Sequence, residues 1–233
     1  RQMCIRDSLK FGTVSPRAVW HAAGDAPPQF RTELIWREFN YSIAATRPEV
    51  LTEPFRPKWR GFPWRDDERD WIAWRDGLTG YPVVDAASRQ LLAEGFVHNR
   101  ARMISASFLT KHLLIDYTMG EEHYLTHLID GDAAQNNAGW QWSAGCGCDA
   151  QPWFRIFNPM TQGKRFDPEG EYVRRWVPEL REVPSRWIHE PWKAPPIDLA
   201  SAGVRLGDDY PEPIVDHKTA RDRFLAAAKS HLG

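Results

Sequence analysis

One stretch of the sequence, from Asn99 to Tyr117, constrains the fold more than any other. It reads NRARMISASFLTKHLLIDY, and its apolar residues lie on more than one side of a helix, which is typical of a helix at the centre of a domain. No segment of any length alternates apolar and polar residues as a half-buried strand does. The sequence therefore predicts an all-α fold with this helix in the middle.

Regular apolar spacing and helix-start residues predict shorter helices on both sides of this segment. Ser15 followed by Pro16 is typical of a helix start, because a capping hydroxyl precedes a proline that suits the first turn. The predicted ranges are 16–23, 30–47, 66–77, 83–93, 121–128, 169–176 and 218–231. Four prolines between positions 48 and 63 predict a loop there.

Composition limits the classes of protein to which the chain can belong. Its 233 residues suffice for one large domain or two small ones, and 42% of them are hydrophobic. No apolar run is long enough to cross a membrane, no signal-peptide pattern is present, and three cysteines are too few for a disulfide scaffold. We therefore expect a cytoplasmic protein with no membrane partner.

The net charge of −1 gives the chain no overall electrostatic footprint of nucleic-acid binding, so any DNA-facing surface must be local. Basic residues do cluster, although such clusters are more often solvated faces than binding sites. They are Arg56, Lys58 and Arg60; Arg100 and Arg102; Arg155, Lys164 and Arg165; and Arg174 and Arg175.

Twelve tryptophans are the most unusual count in the sequence. Large aromatic side chains dominate protein cores and interfaces, so an aromatic-rich core is the simplest interpretation. The alternative is that some of them form stacking platforms or an electron path.

The central helix carries a polar face that is unusual for a buried element. Asn99, Arg102 and Met103 follow helical spacing and share one side. A buried guanidinium is costly without a partner, and Asp130 and Asp132 are the natural anionic candidates. On spacing alone, a ligand site and a structural salt bridge are equally consistent with this face.

Other candidate sites are weaker. Glu33 and Trp36 lie about one helical turn apart, with Arg37 and Asn40 following, and core packing is favoured over a binding role. The Cys-Gly-Cys motif at 146–148 lacks a second Cys or His pair at usable spacing, so we expect no metal site. No phosphate-binding glycine loop and no Ser-His-Asp arrangement is recognisable.

Seven segments together resemble the C-terminal, FAD-binding half of the photolyase/cryptochrome family, from about Leu9 to the end of the chain. They are FGTVSPR, ELIWREF, GYPVVDAA, HNRARMISASFLTKHLLID, DGDAAQNNAGWQW, FRIFNPMTQGKRFDPEGEYVRRWVPELR and YPEPIVDHKTAR. Several long motifs in the family's order make the resemblance very specific. It implies the all-α FAD-binding helical domain of that family, with Asn99 and Met103 typical of bacterial-type (class I) repair of cyclobutane pyrimidine dimers.

The resemblance implies where FAD binds. Asp130, Gly131 and Asp132 are similar to the segment beside the flavin and adenine ends of a U-shaped FAD, with Arg102 paired to Asp130. Asn136 corresponds to the residue that faces flavin N5, where an amide favours the reduced anionic flavin needed for repair. The other implied cofactor contacts are Phe30, which stands in place of a tryptophan common in the family, Arg37 and Asn137.

The resemblance also implies UV-damaged DNA containing pyrimidine dimers as the partner. Five residues correspond to the walls of a pocket that receives a dimer flipped out of the duplex: Glu33, Trp36, Asn99, Met103 and Trp142. Contacts near the DNA strand would involve Glu33, Trp36, Arg37, Asn40, Asn99, Arg100, Arg155, Gln162 and Lys164. A monomer, associated with the nucleoid in a bacterium, is the family expectation.

In most relatives three tryptophans carry electrons from the surface to the flavin. Trp140 and Trp64 correspond to the inner and outer members and Trp74 to a further outer one, whereas Tyr117 stands at the middle position. A phenol is harder to oxidise unless its proton leaves. We therefore expect impaired photoreduction of oxidised flavin, with repair by pre-reduced protein unaffected.

Residues 1–8, RQMCIRDS, resemble translated sequencing-adapter sequence and are set aside from the fold. The domain prediction is a helical FAD-binding and DNA-binding domain over residues 9–233, incomplete at its N-terminus. The family's N-terminal α/β domain, with an antenna chromophore of folate or deazaflavin type, is expected to be absent. Most of the Ser/Thr-rich loop that holds the FAD phosphates is also expected to be absent, so we expect weak FAD binding.

Three functions are open at this point. A light-driven DNA repair enzyme is favoured, because a pure light sensor has no need of all five dimer-pocket residues. A cryptochrome-like blue-light sensor would use the same FAD pocket without repair, but Asn136 matches neither the Asp of plant nor the Cys of animal cryptochromes. The third alternative is a helical fragment without activity.

Overall fold

The structure, a computed structural model, describes residues 3–233, with side chains from residue 6 onward. The first two residues of the predicted adapter-like segment 1–8 lie outside the described residues. The described part forms twelve α-helices: α1 Met3–Lys10, α2 Pro16–Ala22, α3 Pro28–Thr46, α4 Glu68–Asp76, α5 Pro82–Glu94, α6 Asn99–Ser107, α7 Tyr117–His127, α8 Ala133–Ala144, α9 Pro159–Phe166, α10 Glu171–Trp176, α11 Pro196–Ser201 and α12 His217–Leu232.

This architecture confirms the predicted all-α fold. Residues 3–233 contain no strand, only an isolated bridge between Leu206 and Tyr210. None of the helices in this part of the chain has both the length and the apolar character that crossing a bilayer requires. The prediction missed α8, which has 12 residues, as well as α1, α9 and α11, which are shorter. The predicted loop at 48–63 contains two 3-10 turns.

The predicted central helix is interrupted, and this part of the prediction is wrong. After α6 the chain forms a π-helix over Phe108–Leu113 and stops at Leu114, whose φ of 61° is left-handed. The carboxylate of Asp116 then caps α7. Tyr117 therefore begins the next helix instead of ending the central one.

The interrupted segment still lies at the centre of the core. Phe108, Leu109 and Leu113 have no exposed surface and belong to one hydrophobic cluster with Trp74 of α4 and Trp140 of α8. Burying a side chain of this size contributes roughly 1.5–3 kcal/mol. This packing holds α8 against the middle of the molecule.

Helix α8, formed by the DGDAAQNNAGWQW stretch, positions most of the predicted site. Asp132 is its N-cap and accepts a hydrogen bond from the backbone N of Gln135 at 3.1 Å. The helix ends at Gly145, whose φ of 105° suits glycine. Between these caps, one side of α8 faces α3 and the other faces α7.

Candidate functional site

An open cavity of about 240 Å³ lies between α3, α8 and the loop that follows α8. Four of the predicted site residues line it, namely Trp36, Asn40, Asn137 and Trp142. Asn40 Nδ2 donates a hydrogen bond to Oε1 of Gln135 at 2.8 Å, which links the two helices. Indoles and amides around one cavity are suited to stacking on a base and bonding to its edge.

The position of Trp36 contradicts the prediction that was made from its helical spacing. Core packing was favoured for Glu33 and Trp36, and this is wrong because both side chains are exposed, Trp36 by 40%. Trp36 contacts Phe39 edge-on, with ring centroids 5.5 Å apart. An indole with this exposure at the rim of a cavity is not part of the core and is accessible to a ligand.

The other three predicted pocket residues do not line this cavity. Glu33 lies exposed on α3. Asn99 and Met103 lie one turn apart on α6, with Asn99 Nδ2 3.9 Å from Met103 Sδ. The structure thus brings together Trp36 and Trp142 at one place, and Asn99 and Met103 at another.

Arg102 has the anionic partner that its position requires. Its Nη2 lies 3.0 and 3.1 Å from the two carboxylate oxygens of Asp130, and its Nε donates to the carbonyl of Val97 at 2.7 Å. Arg6 of α1 also pairs with Asp130, at 3.1 Å. At Gly131 an added Cβ would lie 3.0 Å from the carbonyl oxygen of Leu128, so the turn is tight.

Asp132 has a second role that sequence reasoning missed. The hydroxyl of Tyr41 donates a short hydrogen bond to Asp132 Oδ2, while the other oxygen caps α8. The guanidinium of Arg37 lies over the Tyr41 ring, 4.6 Å from its centroid. Burial and the bond to Asp132 raise the pKa of Tyr41 to about 12. Asp132 therefore links the start of α8 to α3 through its hydrogen bond with Tyr41.

The two asparagines of α8 are both bound to Glu121 of α7. Asn136 Nδ2 donates to the backbone carbonyl of Glu121 at 2.8 Å. Asn137 Nδ2 lies 3.0 and 3.2 Å from the Glu121 carboxylate oxygens and 3.0 Å from the carbonyl of Val50. Because the nitrogen of Asn136 is occupied, its amide has a fixed orientation.

Glu121 is a titratable group that the sequence analysis did not single out. Burial raises the pKa of its carboxyl to about 7, although the hydrogen bond from Asn137 acts in the opposite direction. Its negative charge is thus marginal at neutral pH. The sequence did not signal this, because it placed Tyr117 and Glu121 in separate predicted helices, whereas in the structure both lie on α7.

The predicted electron-relay residues are arranged differently from the expectation. Trp74, predicted to be a further outer member, is fully buried and contacts the inner Trp140 directly, so that part of the prediction is wrong. Tyr117 is buried, and a second cavity of about 220 Å³ is bordered by Tyr117 and Trp64. The middle and outer positions thus line one cavity, and in the described part of the chain their rings form no aromatic pair.

The residues predicted to contact DNA differ in whether their side chains already interact with other residues of the protein. Arg100 lies over the ring of Phe166, 4.4 Å from its centroid. Lys164 forms a short ion pair with Glu190, while Arg155 is exposed and makes no ion pair with any described residue. Gln162 is half-buried, and its amide oxygen has no partner among the described residues.

Lys111 was also missed, although it supports this surface. The side chain is fully buried, and its Nζ donates to the backbone carbonyl of Arg155 at 2.8 Å. Burial lowers the pKa of Lys111 to about 7. No sequence pattern indicates this contact, because it joins residues 44 positions apart.

The amide oxygen of Asn136 indicates whether a flavin fits this site. No described donor reaches it, although the residue is only 9% exposed. The oxygen keeps some contact with solvent. It is therefore accessible to a ligand N–H, and N5 of a reduced flavin carries one. Phe30, half-buried near the start of α3, adds a flat apolar surface. The residues present therefore fit a flavin.

A metal centre has no support in the part of the chain that the structure describes. No group of three or more His, Cys, Asp or Glu side chains there could hold a metal ion. Cys146 is buried and Cys148 half-buried, and both are free thiols.

Comparison with known proteins gives consistent matches. Residues 30–230 match the family described as the FAD binding domain of DNA photolyase. The deoxyribodipyrimidine photo-lyase of Agrobacterium fabrum is 51% identical over 227 residues, covering 94% of this chain and 47% of that protein. The chain therefore spans about half the length of the curated relatives it matches.

Solved structures agree with the sequence matches. A bacterial class III photolyase from Agrobacterium tumefaciens has a TM-score of 0.94 at 49% identity, covering 97% of this chain and 49% of that one. A Synechocystis cryptochrome has a TM-score of 0.89 at 35% identity, covering 95% of this chain and 48% of that one.

Proposed function

This chain belongs to the DNA photolyase/cryptochrome family, and on that premise we propose that it binds FAD and repairs cyclobutane pyrimidine dimers in DNA under blue light. The observation that carries the proposal is the arrangement around α8. Trp142 and Trp36 border an open cavity, and Asn136 of the same helix has an amide oxygen without a protein donor. One helix thus offers groups for a flavin and for a flipped-out base.

Asn136 would accept a hydrogen bond from N5–H of the reduced flavin. The fixed orientation of its amide supports this role, because the Glu121 carbonyl takes the nitrogen and leaves the oxygen for the ligand. FAD, when bound and fully reduced, would supply a light-excited electron to the dimer and take it back after ring splitting, without net redox change. The remaining cofactor contacts would come from Phe30, Arg37, Arg102, Asp130, Gly131, Asp132 and Asn137.

The dimer would lie against the cavity between α3 and α8. Trp36 and Trp142 would stack on the damaged bases, as indoles generally do with flipped nucleotides. Glu33 and Asn99 would bond to polar base edges, with Met103 as an apolar contact. Holding the bases out of the duplex excludes water and fixes the distance to the electron donor.

The DNA strand would run along the basic residues near this cavity. Arg100, Arg155, Gln162 and Lys164 would contact its backbone, with Arg37 and Asn40 closer to the damaged bases. Binding of one DNA site by a monomer, associated with the nucleoid in a bacterium, completes the proposal. We place any antenna chromophore of the folate or deazaflavin type outside this chain, in the α/β domain that the resemblance implies. We propose that the native domain is formed by residues 9–233, although Arg6 of the segment 1–8 pairs with Asp130.

A cryptochrome-like sensor is the alternative function, and the match to a Synechocystis cryptochrome motivates its test. It is not favoured, because Trp36 and Trp142 keep two indoles exposed to the cavity that a sensor does not need. Within the photolyases, Asn99 and Met103 motivate the class I proposal. The similarity to a class III enzyme makes that class its competitor.

The test is dimer repair on a UV-irradiated oligonucleotide by chemically reduced, FAD-loaded protein under blue light. We expect light-dependent loss of dimers, strongly reduced in Trp142→Ala. Ile197→Ala, which changes an exposed residue of α11, serves as the control. Protein that holds reduced FAD but repairs no dimers would overturn the repair proposal in favour of the sensor.

A further inference from the structure

Trp140 contacts two aromatic rings from other helices. The ring centroids of Trp140 and Trp74 are 6.0 Å apart, with the planes at 74°, and those of Trp140 and Tyr124 are 5.2 Å apart. Trp140 and Trp74 are both buried. Because electron transfer between side chains slows steeply with distance, ring contact makes Trp74 a fast donor to Trp140.

Trp74 in turn stacks on Trp71 of the same helix. Their ring centroids are 5.4 Å apart and their planes meet at 26°, as their three-residue spacing on α4 allows. Trp71 is only half-buried, and its indole N–H neither donates to a described residue nor is shut off from solvent. Three indoles therefore form a continuous series from the buried Trp140 to the surface.

The route through Tyr117 is not continuous in this way. Tyr117 lies in the same hydrophobic cluster as Trp140, but among the described residues its ring forms no aromatic pair with Trp140 or Trp64, and it borders a cavity. Burial, followed by the nearby Cys146, raises the pKa of its phenol. No described side chain accepts a hydrogen bond from the hydroxyl, so a proton acceptor for its oxidation is missing from this part of the chain.

We propose that Trp74 and Trp71 form the main electron path to Trp140 in this protein and bypass Tyr117. The proposal rests on the proposed FAD binding, but it does not require dimer repair. It replaces the expectation, drawn from the sequence, that a tyrosine at the middle position impairs photoreduction.

One electron moves inward at each step. Trp140 gives an electron to the light-excited, oxidised flavin and becomes an indole radical cation, Trp74 then reduces Trp140, and Trp71 reduces Trp74. The Trp71 radical cation loses its indole proton to water and becomes a neutral radical. A dissolved thiol restores Trp71 by giving one hydrogen atom, and two such thiols end as a disulfide.

Local contacts favour this direction. Trp74 Nε1 donates to the carbonyl of Ser105 at 3.2 Å, and a carbonyl is too weak a base to remove the proton, so Trp74 passes the positive charge on. His123 lies edge-on to Trp71 and Trp74, with centroids 5.8 Å from each. Burial lowers the pKa of His123 to about 4, so its ring is neutral at pH 7 and does not repel the radical cation.

The test is transient absorption and electron paramagnetic resonance after a laser flash on FAD-loaded, oxidised protein. We expect a long-lived tryptophan radical in the wild type and in Tyr117→Phe, and loss of that radical in Trp74→Phe and Trp71→Phe. Trp192→Phe, which changes a tryptophan that packs on Tyr81 instead, is the matched control. Trp74→Phe changes the core and could impair folding. Trp71→Phe tests the same path at a half-buried position, where the substitution disturbs the core less.

A larger or equal loss in Tyr117→Phe than in Trp71→Phe would overturn the proposal, as would a tyrosyl radical in the wild type. A second measurement needs no flavin: circular dichroism detects a paired positive and negative band when two indole rings lie close together. Trp59 and Trp64 also stack, at 6.2 Å. We therefore expect a weaker signal in flavin-free Trp74→Phe than in flavin-free wild type and Trp192→Phe, and an unchanged signal in Trp74→Phe would also count against the path. Repair by pre-reduced wild type is measured separately, so failed repair with an intact tryptophan radical overturns only the proposed repair function.

Discussion

Asn136 and Asn137 are adjacent on α8, yet both are held by one residue of another helix. Glu121 binds Asn136 through its backbone carbonyl and Asn137 through its carboxylate. A backbone carbonyl cannot be removed by substitution, so the orientation of Asn136 depends on how α7 lies against α8. The Glu121 carboxyl is different, because its charge can be lost.

Glu121→Gln tests the electrostatic part of this arrangement. The pKa of the Glu121 carboxyl is about 7 in the folded protein, against a usual 4.5. The protonated carboxyl therefore contributes its full stability below the usual pKa of 4.5, and this contribution is lost as the pH rises through the folded-state pKa of about 7. Glutamine carries no charge and still accepts from Asn137. We expect the variant to equal the wild type near pH 4 and to exceed it by about 1–2 kcal/mol in free energy of unfolding near pH 8.

Urea unfolding of flavin-free protein across this pH range is the measurement. Glu122→Gln, on the exposed side of the same helix, is the matched control and should show no pH-dependent difference. A constant gap between Glu121→Gln and the wild type at all pH values would contradict a titrating buried carboxyl.

For single residues, the sequence predicted that a buried charge must have an oppositely charged partner. It did not predict contacts between residues that only the fold brings together. Arg102 required an anion, which made Asp130 and Asp132 the candidates, and the family resemblance implied the observed pairing with Asp130. The bond between Tyr41 and Asp132 joins residues 91 positions apart, and neither residue type signals it. Core packing of Trp36 was wrong because spacing places a residue on a face without saying what covers that face.

Helices α7 and α8 pack closely because Gly120 has no side chain. A Cβ at Gly120 would collide with the ring of Trp140 and would lie 2.7 Å from Cδ2 of Leu109. This close approach also brings Glu121 within reach of the α8 amides. The position of Trp140, and with it the proposed electron path, therefore depends on Gly120.

Gly120→Ala separates helix propensity from packing. Alanine in a helix interior ordinarily gains about 1 kcal/mol over glycine. At this site overpacking should cost about 1–3 kcal/mol and outweigh that gain. Gly139→Ala on α8, where a Cβ meets nothing within 4 Å, should stabilise the protein by roughly 0.5–1 kcal/mol. Thermal unfolding of both variants checks the signs, and stabilisation by Gly120→Ala would contradict the packing described.

Most of the longer helices could be predicted, since caps and apolar periodicity mark them. Helix α8 was missed because polar side chains such as Asn136, Asn137 and Gln141 are buried along it and leave no apolar stripe. The break after α6 could not be predicted. Leucine at position 114 adopts a left-handed conformation that normally requires glycine, and it does so because the core buries its side chain. The relay residue Tyr117 was consequently placed at the wrong end of a helix, although its correspondence to the family position is unaffected.

Across the whole molecule, some of the basic residues predicted to contact DNA form ion pairs within the protein and others do not. Lys164 is paired with Glu190, which also binds Lys193, whereas Arg155 is held only through its backbone by Lys111. A cation without an internal partner is available for a phosphate, but a paired one must first give up its carboxylate. The proposed DNA-facing surface is thus uneven, as expected for a chain with a net charge of −1.

Arg155→Ala and Lys164→Ala compare these two kinds of basic residue. We expect Arg155→Ala to weaken DNA binding and to reduce the slope of log affinity against log salt by about 0.9, the value for one phosphate contact. Lys164→Ala should change both quantities less. Fluorescence anisotropy with a dimer-containing duplex at several salt concentrations measures them, and equal effects of the two variants would contradict the role of Glu190.

Family membership and the all-α architecture were within reach of the sequence, because long motifs in fixed order specify both. The second cavity and the contact between Trp74 and Trp140 were not, since they follow from how α4 and α8 meet in the core. Those two features change the expected route of electrons while leaving the proposed flavin and dimer sites unchanged.

The lifetime of reduced-flavin fluorescence tests the central claim most directly, because it requires flavin, dimer and electron transfer at the same site. We predict that a strand carrying a thymine dimer shortens the lifetime, that the same strand without the dimer leaves it unchanged, and that Trp142→Ala removes most of the difference. Identical lifetimes with damaged and undamaged strands, both shown to be bound, would contradict the account.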